Sequence, residues 1–365
     1  LKIQFANPRF NFLSKRNEIF EAIRKVLNKG EYILGQQVDL FEREFVSFIG
    51  NKGHFVSCAC GTDAITLALI ANGIEPGSKV IVPSHTATAS IASILSAGAV
   101  PLFVEINQQS LLMSIKEIEK LVKLKKVKAI LAVHLYGSGV DIIKLKKILR
   151  KNNIKILEDC AQSVGTLIRG KHSGTLSDSG CFSFFPTKNL GALGDGGGVW
   201  VPNLTLKKKL ISLRQYGWNK NKDVILENGI NSRLDEVQAT ILRIKLKYLL
   251  QDIERRRDLA KRYDRLLKSD FHIINQPSYQ KSSFHLYVVR HKKRAELIKF
   301  MHGEGINLGI HYYPANHKNG AYKKYSDRSL KNTEKASKEV ISLPIYPELK
   351  NSEQNFIIKK LNDFN

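Results

Sequence analysis

Residues 183–197 read SFFPTKNLGALGDGG, an apolar segment typical of a buried strand followed by one lysine and a series of glycines. A primary amine held at such a position can form a Schiff base with a carbonyl compound. Enzymes that use pyridoxal 5′-phosphate (PLP) hold their cofactor in this way before any chemistry begins. Lys188 is therefore the first candidate catalytic residue.

Asp159 lies at the end of a second apolar segment, within the stretch LEDCAQ at residues 157–162. Burying Asp159 at the end of a strand is costly unless the charge has a partner. The ring nitrogen of PLP is one such partner, because an acidic side chain keeps the pyridine protonated. A structural salt bridge is the alternative. Gln162, three residues further on, could reach the phenolic oxygen of the same cofactor.

Further candidates follow other strand-like segments, and ligands of doubly wound sheets gather at the carboxyl ends of strands. Gly61 opens a helix directly after a strand, where backbone N–H groups can hold a phosphate. Ser183 could add a hydroxyl to that phosphate. His85 follows the strand that ends at Pro83 and could stack on the pyridine ring, although a hydrogen-bonded loop histidine is an equal alternative.

Strand-like and helical segments alternate from about His54 to Trp200, which predicts an α/β fold with a largely parallel sheet covered on both faces. From Ser232 to Leu267 the pattern predicts one long helix. With 365 residues the chain can form two cores. We place the boundary near Tyr248, with a large domain over residues 1–248 and a smaller one over 249–365.

The formal net charge of +25 raises the alternative of a nucleic-acid-binding protein. The lysines, however, are spread over almost every predicted helix, which favours a solvated basic surface and no nucleic-acid partner. That surface could attract a small anionic substrate.

No apolar segment is long enough to span a bilayer, so we expect no membrane partner. Residues 1–8 lack the layout of a signal peptide, so we expect a cytoplasmic location. The four cysteines lie in apolar surroundings and predict buried free thiols, with no metal site.

Six fragments occur in an order that resembles the nucleotide-sugar aminotransferases of the DegT/DnrJ/EryC1/StrS family. They are SCACGTDA (57–64), VPSHT (82–86), VHLYG (133–137), EDCAQ (158–162), SFFPTKNLG (183–191) and NSRLDEVQA (231–239). The resemblance extends from about Gly35 to Pro347. It implies the fold type I aspartate aminotransferase architecture, with a seven-stranded, mostly parallel sheet in a large domain and a smaller C-terminal α+β domain.

The resemblance also implies PLP as cofactor and a role for each matched residue. Lys188 corresponds to the Schiff-base lysine, which also moves protons, and Asp159 and Gln162 to the contacts of the ring nitrogen and phenolic oxygen. The remaining cofactor contacts implied are Gly61, Thr62 and Ser183 at the phosphate, His85 on the ring, and Asn231 at the phosphate of a neighbouring subunit. A homodimer with shared active sites follows from the role of Asn231. The alternative for Asn231 is the N-cap of the long helix.

Lysine at 188, where one branch of the family has histidine and performs dehydration, favours transamination. The implied amino donor is L-glutamate, which leaves as 2-oxoglutarate. Arg233 is a candidate for binding the glutamate carboxylate, and the alternative is that Arg233 forms an ion pair on the surface.

Candidate sugar contacts are Tyr216, His311, Tyr312 and Tyr313. We expect the acceptor to be a dTDP-3-keto-6-deoxyhexose, aminated at C3 for cell-surface glycan or glycoconjugate biosynthesis. The alternatives are C4 amination of a UDP- or dTDP-4-keto-6-deoxy sugar, and a PLP-binding regulatory or sensor protein.

Overall fold

The computed structural model describes residues 2–326 and 328–364. The strands are β1 His54–Cys58, β2 Lys79–Pro83, β3 Val100–Val104, β4 Ala129–Val133, β5 Lys155–Asp159, β6 Leu167–Ile168, β7 Lys171–His172, β8 Ser179–Ser183, β9 Gly197–Val201, β10 His272–Ile273, β11 Gln280–Lys281, β12 Tyr287–Arg290 and β13 Val340–Leu343. The helices are α1 Pro8–Leu13, α2 Arg16–Lys29, α3 Gln36–Phe48, α4 Gly61–Ala71, α5 Thr88–Ser96, α6 Ile115–Leu124, α7 Ile142–Ile148, α8 Leu204–Leu213, α9 Glu236–Leu266, α10 Arg294–Gly303, α11 Lys331–Glu339 and α12 Asn351–Asp363. Two 3-10 helices lie at Asn316–Lys318 and Gly320–Tyr325.

The large sheet has seven strands in the order β1-β9-β8-β5-β4-β2-β3. Only β9 runs against its neighbours, β8 and β1, and the other pairs are parallel. The predicted seven-stranded, mostly parallel sheet is therefore confirmed. Because β8 and β9 are antiparallel neighbours, they need no crossover helix. The loop that joins them, residues 184–196, places Lys188 near the carboxyl ends of the parallel strands.

Continuous apolar sequence explains why this sheet lies between two layers of helices. All five residues of β4 and all five of β8 are buried. Strands that are buried on both faces need helical cover on both, which the β-strand–helix alternation supplies. Helix α4 packs on β8 and β9, whereas α3 packs on β1. The helices cover the two faces of the sheet and leave the carboxyl ends of its parallel strands accessible.

The long helix α9 begins at Glu236 and not at the predicted Ser232. The Ser232 hydroxyl donates to the Asp63 carboxylate at 2.6 Å, and Asn231 forms a β-bridge with Gln215. These contacts keep residues 231–235 extended, and Asp235 is the N-cap residue. The N-cap alternative for Asn231 is therefore wrong.

The C-terminal part contains a three-stranded sheet, β10-β12-β13, with α10, α11 and α12 around it. This arrangement confirms the smaller α+β part. Helix α9 connects the two parts and passes without a break through Tyr248, where we placed the domain boundary. Its residues up to Ile253 pack with the large sheet, and those from Leu259 onward pack with the C-terminal core. Ile3, near the N-terminus, also belongs to that C-terminal core.

Within the described ranges, no helix is both long enough and apolar enough to cross a membrane.

Candidate active site at the carboxyl edge of the sheet

A cavity of about 230 Å³ lies where five strands of the large sheet end. The segments that follow β1, β2, β4, β5 and β8 all contribute to it, as expected for ligand sites of α/β sheets. Its polar lining residues are Cys60, Thr62, Thr86, Ser90, His134, Asp159, Gln162, Ser183, Lys188 and Asp195, and Gly61 also lines it. Most of the predicted cofactor contacts are therefore brought together in one place.

Lys188 reaches this cavity from the β8–β9 loop, and its backbone N–H donates to the Phe185 carbonyl at 2.9 Å in a tight turn. Its side-chain amine has no hydrogen-bond partner among the described residues. Burial lowers the pKa of Lys188 from 10.5 to about 8, and the negative charge of Asp159 offsets part of that effect. A lysine with this pKa is neutral, and hence nucleophilic, in a larger fraction of molecules at neutral pH than an exposed lysine.

Asp159 is 4% exposed and carries its carboxylate at the end of β5. Oδ2 accepts a hydrogen bond from the Ser90 hydroxyl at 2.8 Å, and Oδ1 accepts one from the Ala161 N–H at 3.1 Å. No ion pair to Asp159 occurs in the described part of the chain, so the salt-bridge alternative is wrong. Two neutral donors hold the carboxylate in place and leave it able to accept a further, charged donor from the cavity.

Ser90 was missed by the sequence reasoning. It lies on α5, which follows β2, and contacts Asp159 across 69 positions of sequence. A serine within a short apolar helix gives no local sign of such a partner.

The neighbouring residue Glu158 points away from the cavity and has a different role. Its carboxylate is fully buried and accepts from the His134 ring at 2.9 Å and from the N–H groups of Gly174 and Leu176. Although burial opposes it, these hydrogen bonds keep the pKa of Glu158 below its usual value. The other nitrogen of His134 accepts from the Val140 N–H at 3.0 Å. With Cys160 these side chains form a His/Glu/Cys group of the kind that can bind a metal ion, but hydrogen bonds within the protein already engage the carboxylate and both ring nitrogens.

The N-terminus of α4 forms the opposite wall of the cavity. The helix begins at Gly61, and the thiol of its N-cap residue, Cys60, accepts from the Asp63 N–H at 3.4 Å. Unpaired N–H groups at a helix start bind phosphate well. A Cβ atom at position 61 would lie 2.6 Å from the Cβ of Ser183. Glycine therefore lets Ser183 approach the helix start, and its hydroxyl faces the same space as the helix N–H groups.

These groups fit PLP. Three groups surround the same cavity. They are the primary amine of Lys188, the buried carboxylate of Asp159, which has no ion-pair partner among the described residues, and the N-terminus of α4 beside Ser183. They match the aldehyde, the ring nitrogen and the phosphate of that cofactor respectively.

Gln162 lines the cavity but is also bonded to other residues. Its Oε1 accepts from the Tyr136 N–H at 2.8 Å, and its Nε2 donates to the Tyr312 hydroxyl at 2.6 Å. The Tyr136 hydroxyl in turn donates to the carbonyl oxygen of His311. The segment with His311 and Tyr312 is thereby fixed to the loop after β4. Tyr136, which the sequence reasoning did not single out as a site residue, makes this connection.

His85 does not line the cavity. Its Nε2 bonds the Tyr136 hydroxyl at 2.7 Å, its Nδ1 has no partner among the described residues, and burial lowers its pKa to about 4. At this turn Thr86 and Ala87 face the cavity instead. The ring-stacking role of His85 stays a prediction.

Six other predicted residues lie outside the cavity lining of the single chain, and of these His311 and Tyr312 are joined to it through Tyr136 and Gln162. Tyr216 is exposed and contacts Trp218, with 4.7 Å between ring centroids, and Tyr313 is exposed under the guanidinium of Arg294. Arg233 forms no ion pair with any described residue, so its surface ion-pair alternative is not formed. Asn231 is exposed. Their roles stay predictions.

Comparison with known proteins shows the family of this chain. The family model described as the DegT/DnrJ/EryC1/StrS aminotransferase family matches residues 14–362. This chain belongs to that family. It is 40% identical over 363 residues, covering 99% of both chains, to a dTDP-3-amino-3,6-dideoxy-α-D-galactopyranose transaminase of Aneurinibacillus thermoaerophilus.

Solved structures show the same likeness. The chain superimposes on S. venezuelae DesV with a TM-score of 0.96 and 34% identity, covering 99% of this chain and 98% of that one. NtdA from Bacillus subtilis, solved with bound PMP, gives a TM-score of 0.88 and 30% identity over 95% of this chain and 81% of that one. The protein is a PLP-dependent aminotransferase of fold type I.

The lowered pKa of Lys188 predicts how cofactor uptake depends on pH. Only the neutral amine attacks an aldehyde, so the uptake rate should rise about tenfold per pH unit below a pKa of about 8 and level off above it. Mixing cofactor-free protein with PLP over a series of pH values and following the visible absorbance gives this profile. A rate that keeps rising toward the ordinary lysine pKa would contradict the assigned environment.

Proposed function

We propose that this aminotransferase transfers the amino group of L-glutamate to C3 of a dTDP-linked 3-keto-6-deoxyhexose. The observation that carries the proposed chemistry is the shared cavity of Lys188 and Asp159. The choice of sugar is supported by the similarity, over 99% of both chains, to a transaminase named for a dTDP-3-amino-3,6-dideoxy sugar.

Lys188 is the base that moves the proton. When bound, PLP supplies a carbonyl carbon that carries the amino group and a ring that withdraws electrons from the substrate carbon. The neutral amine of Lys188 would take the proton from the substrate carbon and deliver it to the cofactor carbon that carries the nitrogen, which leaves the amino group on the cofactor. A pKa of about 8 lies close to the working pH, where a base can both accept and release a proton efficiently.

Asp159 keeps the ring nitrogen protonated. Hydrogen bonds from Ser90 and the Ala161 N–H fix the direction of its carboxylate. Because Asp159 is 4% exposed, water competes little with the nitrogen for this carboxylate. The helix N-terminus at Gly61 and Thr62 and the hydroxyl of Ser183 would hold the phosphate at the other end.

The segment around Tyr312 supports a site for the sugar. Tyr312 is held by Gln162, a cavity-lining residue, and the charges of Lys188 and Asp159 act on this segment. Burial, followed by the nearby Lys188 charge, lowers the pKa of His311 to about 4. Its ring bonds the Ser342 hydroxyl at 2.8 Å. A neutral His311 and the tyrosine hydroxyl are uncharged hydrogen-bonding groups that can contact sugar hydroxyls.

A homodimer with shared active sites is part of the proposal. Two exposed apolar side chains lie on the loop that carries the catalytic lysine: Phe185, 49% exposed, and Leu193, 39% exposed. Phe185 lines the cavity itself. Exposed apolar surface at the edge of a site favours cover by another chain. In such a dimer, the exposed Asn231 would face the partner's cofactor phosphate.

A substrate panel tests the choice of sugar. The holoenzyme is incubated with L-glutamate and, separately, with dTDP- and UDP-linked 3-keto and 4-keto 6-deoxyhexoses, and the product is identified by mass and by NMR of the aminated carbon. We expect the highest kcat/KM with the dTDP-3-keto sugar and nitrogen at C3. Amination of C4 with a higher kcat/KM would replace this proposal by its C4 alternative. The cytoplasmic location and the glycan that receives the sugar stay predictions.

A further inference from the structure

A second, smaller cavity of about 30 Å³ lies beneath the turn that carries Lys188. Four separate segments of the chain meet there: the N-terminal residues through α1, the turn from Pro186 to Asn189, helix α9, and the loop between β13 and α12. Lys188 lines both this cavity and the larger one. Among the described residues the two linings otherwise have none in common, so the smaller cavity contacts the catalytic turn outside the cofactor site.

Three residues around this cavity each have one buried polar atom without a hydrogen-bond partner among the described residues. These atoms are Asn189 Oδ1, Arg256 Nε and Glu348 Oε2. Buried polar groups in folded proteins are almost always hydrogen-bonded, often to an internal water. Because the three residues all line one cavity, these atoms can share one partner.

The chemistry of the three atoms matches one water molecule. Arg256 Nε–H is a donor, whereas Asn189 Oδ1 and Glu348 Oε2 are acceptors. A water molecule can accept from the arginine and donate one hydrogen to each oxygen. The cavity also has the required size, since a buried water needs roughly 10–15 Å³ and typically makes about three hydrogen bonds.

Direct hydrogen bonds fix the orientation of all three side chains. Asn189 Nδ2 donates to the Ser283 carbonyl at 3.1 Å, which assigns its oxygen to the other side of the amide. Arg256 Nη1 donates to the Ile345 carbonyl at 2.9 Å. Glu348 Oε1 accepts from Asn11 Nδ2 at 3.0 Å. These bonds leave Asn189 Oδ1, Arg256 Nε and Glu348 Oε2 available to a water.

We propose that an ordered water bridges Asn189, Arg256 and Glu348, and that this bridge positions the turn carrying Lys188. Asn189 is covalently next to Lys188, so a hydrogen bond to its side chain limits movement of the lysine backbone. Arg256 and Glu348 are then positioning residues that act through the water. The inference applies to the amino-transfer chemistry of the family and does not depend on which sugar is the acceptor.

A crystal structure of the holoenzyme tests the bridge directly. We expect an ordered water within roughly 2.7–3.2 Å of Asn189 Oδ1, Arg256 Nε and Glu348 Oε2. Direct contacts among these three side chains, with no water between them, would overturn the proposal. This test uses the unsubstituted protein, so it does not depend on whether any variant folds.

Kinetics of Glu348→Leu test the positioning role. We expect kcat to fall roughly tenfold with both KM values nearly unchanged, because a small displacement of a catalytic group slows the chemical step more than binding. Glu348→Gln keeps an acceptor oxygen and should recover most of kcat. The matched control is Glu119→Leu, at an exposed glutamate on α6 that pairs with Lys123, and its kcat should stay at the unsubstituted value. If Glu348→Leu lowers the melting temperature but leaves kcat unchanged, the residue is structural and the positioning role is wrong.

Discussion

Replacing Lys188 with alanine is expected to lower kcat by more than about 10⁴-fold, since the variant loses both its covalent attachment to the cofactor and its base. The visible absorbance of the bound cofactor should change to that of free PLP. The fold should persist, because the Lys188 amine makes no hydrogen bond with any described residue and removing it ends the cost of burying a charge. Steady-state assays, absorbance spectra and circular dichroism measure the three effects.

Lys123→Ala is the matched control for this substitution. Lys123 lies on α6, 72% exposed, in an ion pair with Glu119 at 3.1 Å. Exposed pairs contribute roughly 0–1 kcal/mol, so activity and cofactor absorbance should be unchanged in this control. A Lys188→Ala variant with substantial turnover would refute the assignment of the catalytic lysine.

Asp159→Asn is expected to lower kcat by about 10²–10³-fold, the range observed when one preorganised electrostatic contact is removed from an active site. Asparagine has nearly the same shape and can still accept the Ser90 hydrogen bond at its remaining oxygen. It carries no negative charge, so it cannot hold a proton on the ring nitrogen. We therefore expect the cofactor to remain bound while proton removal from the substrate slows, which single-turnover absorbance kinetics can measure.

Asp178→Asn is the matched control for Asp159→Asn, because Asp178 lies near the start of β5 and Asp159 at its end. Asp178 accepts from the Ile156 N–H at 2.9 Å and pairs with Lys155 at 3.3 Å, away from the cavity. This variant is expected to lose some stability but keep its rate of proton removal. Equal rates in Asp159→Asn and the unsubstituted enzyme would show that Asp159 does not act on the ring.

Much of the fold and cofactor site could be predicted because the relevant signals are local in sequence. Apolar strands such as β4 predict a buried parallel sheet, and the residues that follow such strands must meet at one edge. Asp159 ends strand β5, and Gly61 and Lys188 come within five residues of the ends of β1 and β8, so the position of each could be predicted from its own segment.

Contacts between distant segments could not be predicted in the same way. Ser90 contacts Asp159, and Tyr136 contacts His311, only after the chain has folded. The sequence around Ser90 or Tyr136 does not indicate which residue it will contact. The start of α9 was misplaced because the Ser232 hydroxyl bonds Asp63, a residue 169 positions earlier. The role proposed for Asn231 depends on a second subunit, which the sequence and the fold of a single chain do not test.

The most direct test of the central claim is the reaction of the holoenzyme with L-glutamate alone. If Lys188 and Asp159 serve amino transfer, glutamate should abolish the visible absorbance of the bound cofactor and release one 2-oxoglutarate per active site, without any sugar present. The Lys188→Ala protein should show neither change. An unchanged spectrum and no 2-oxoglutarate from the unsubstituted holoenzyme would contradict glutamate-dependent transamination and favour a PLP-binding regulatory protein.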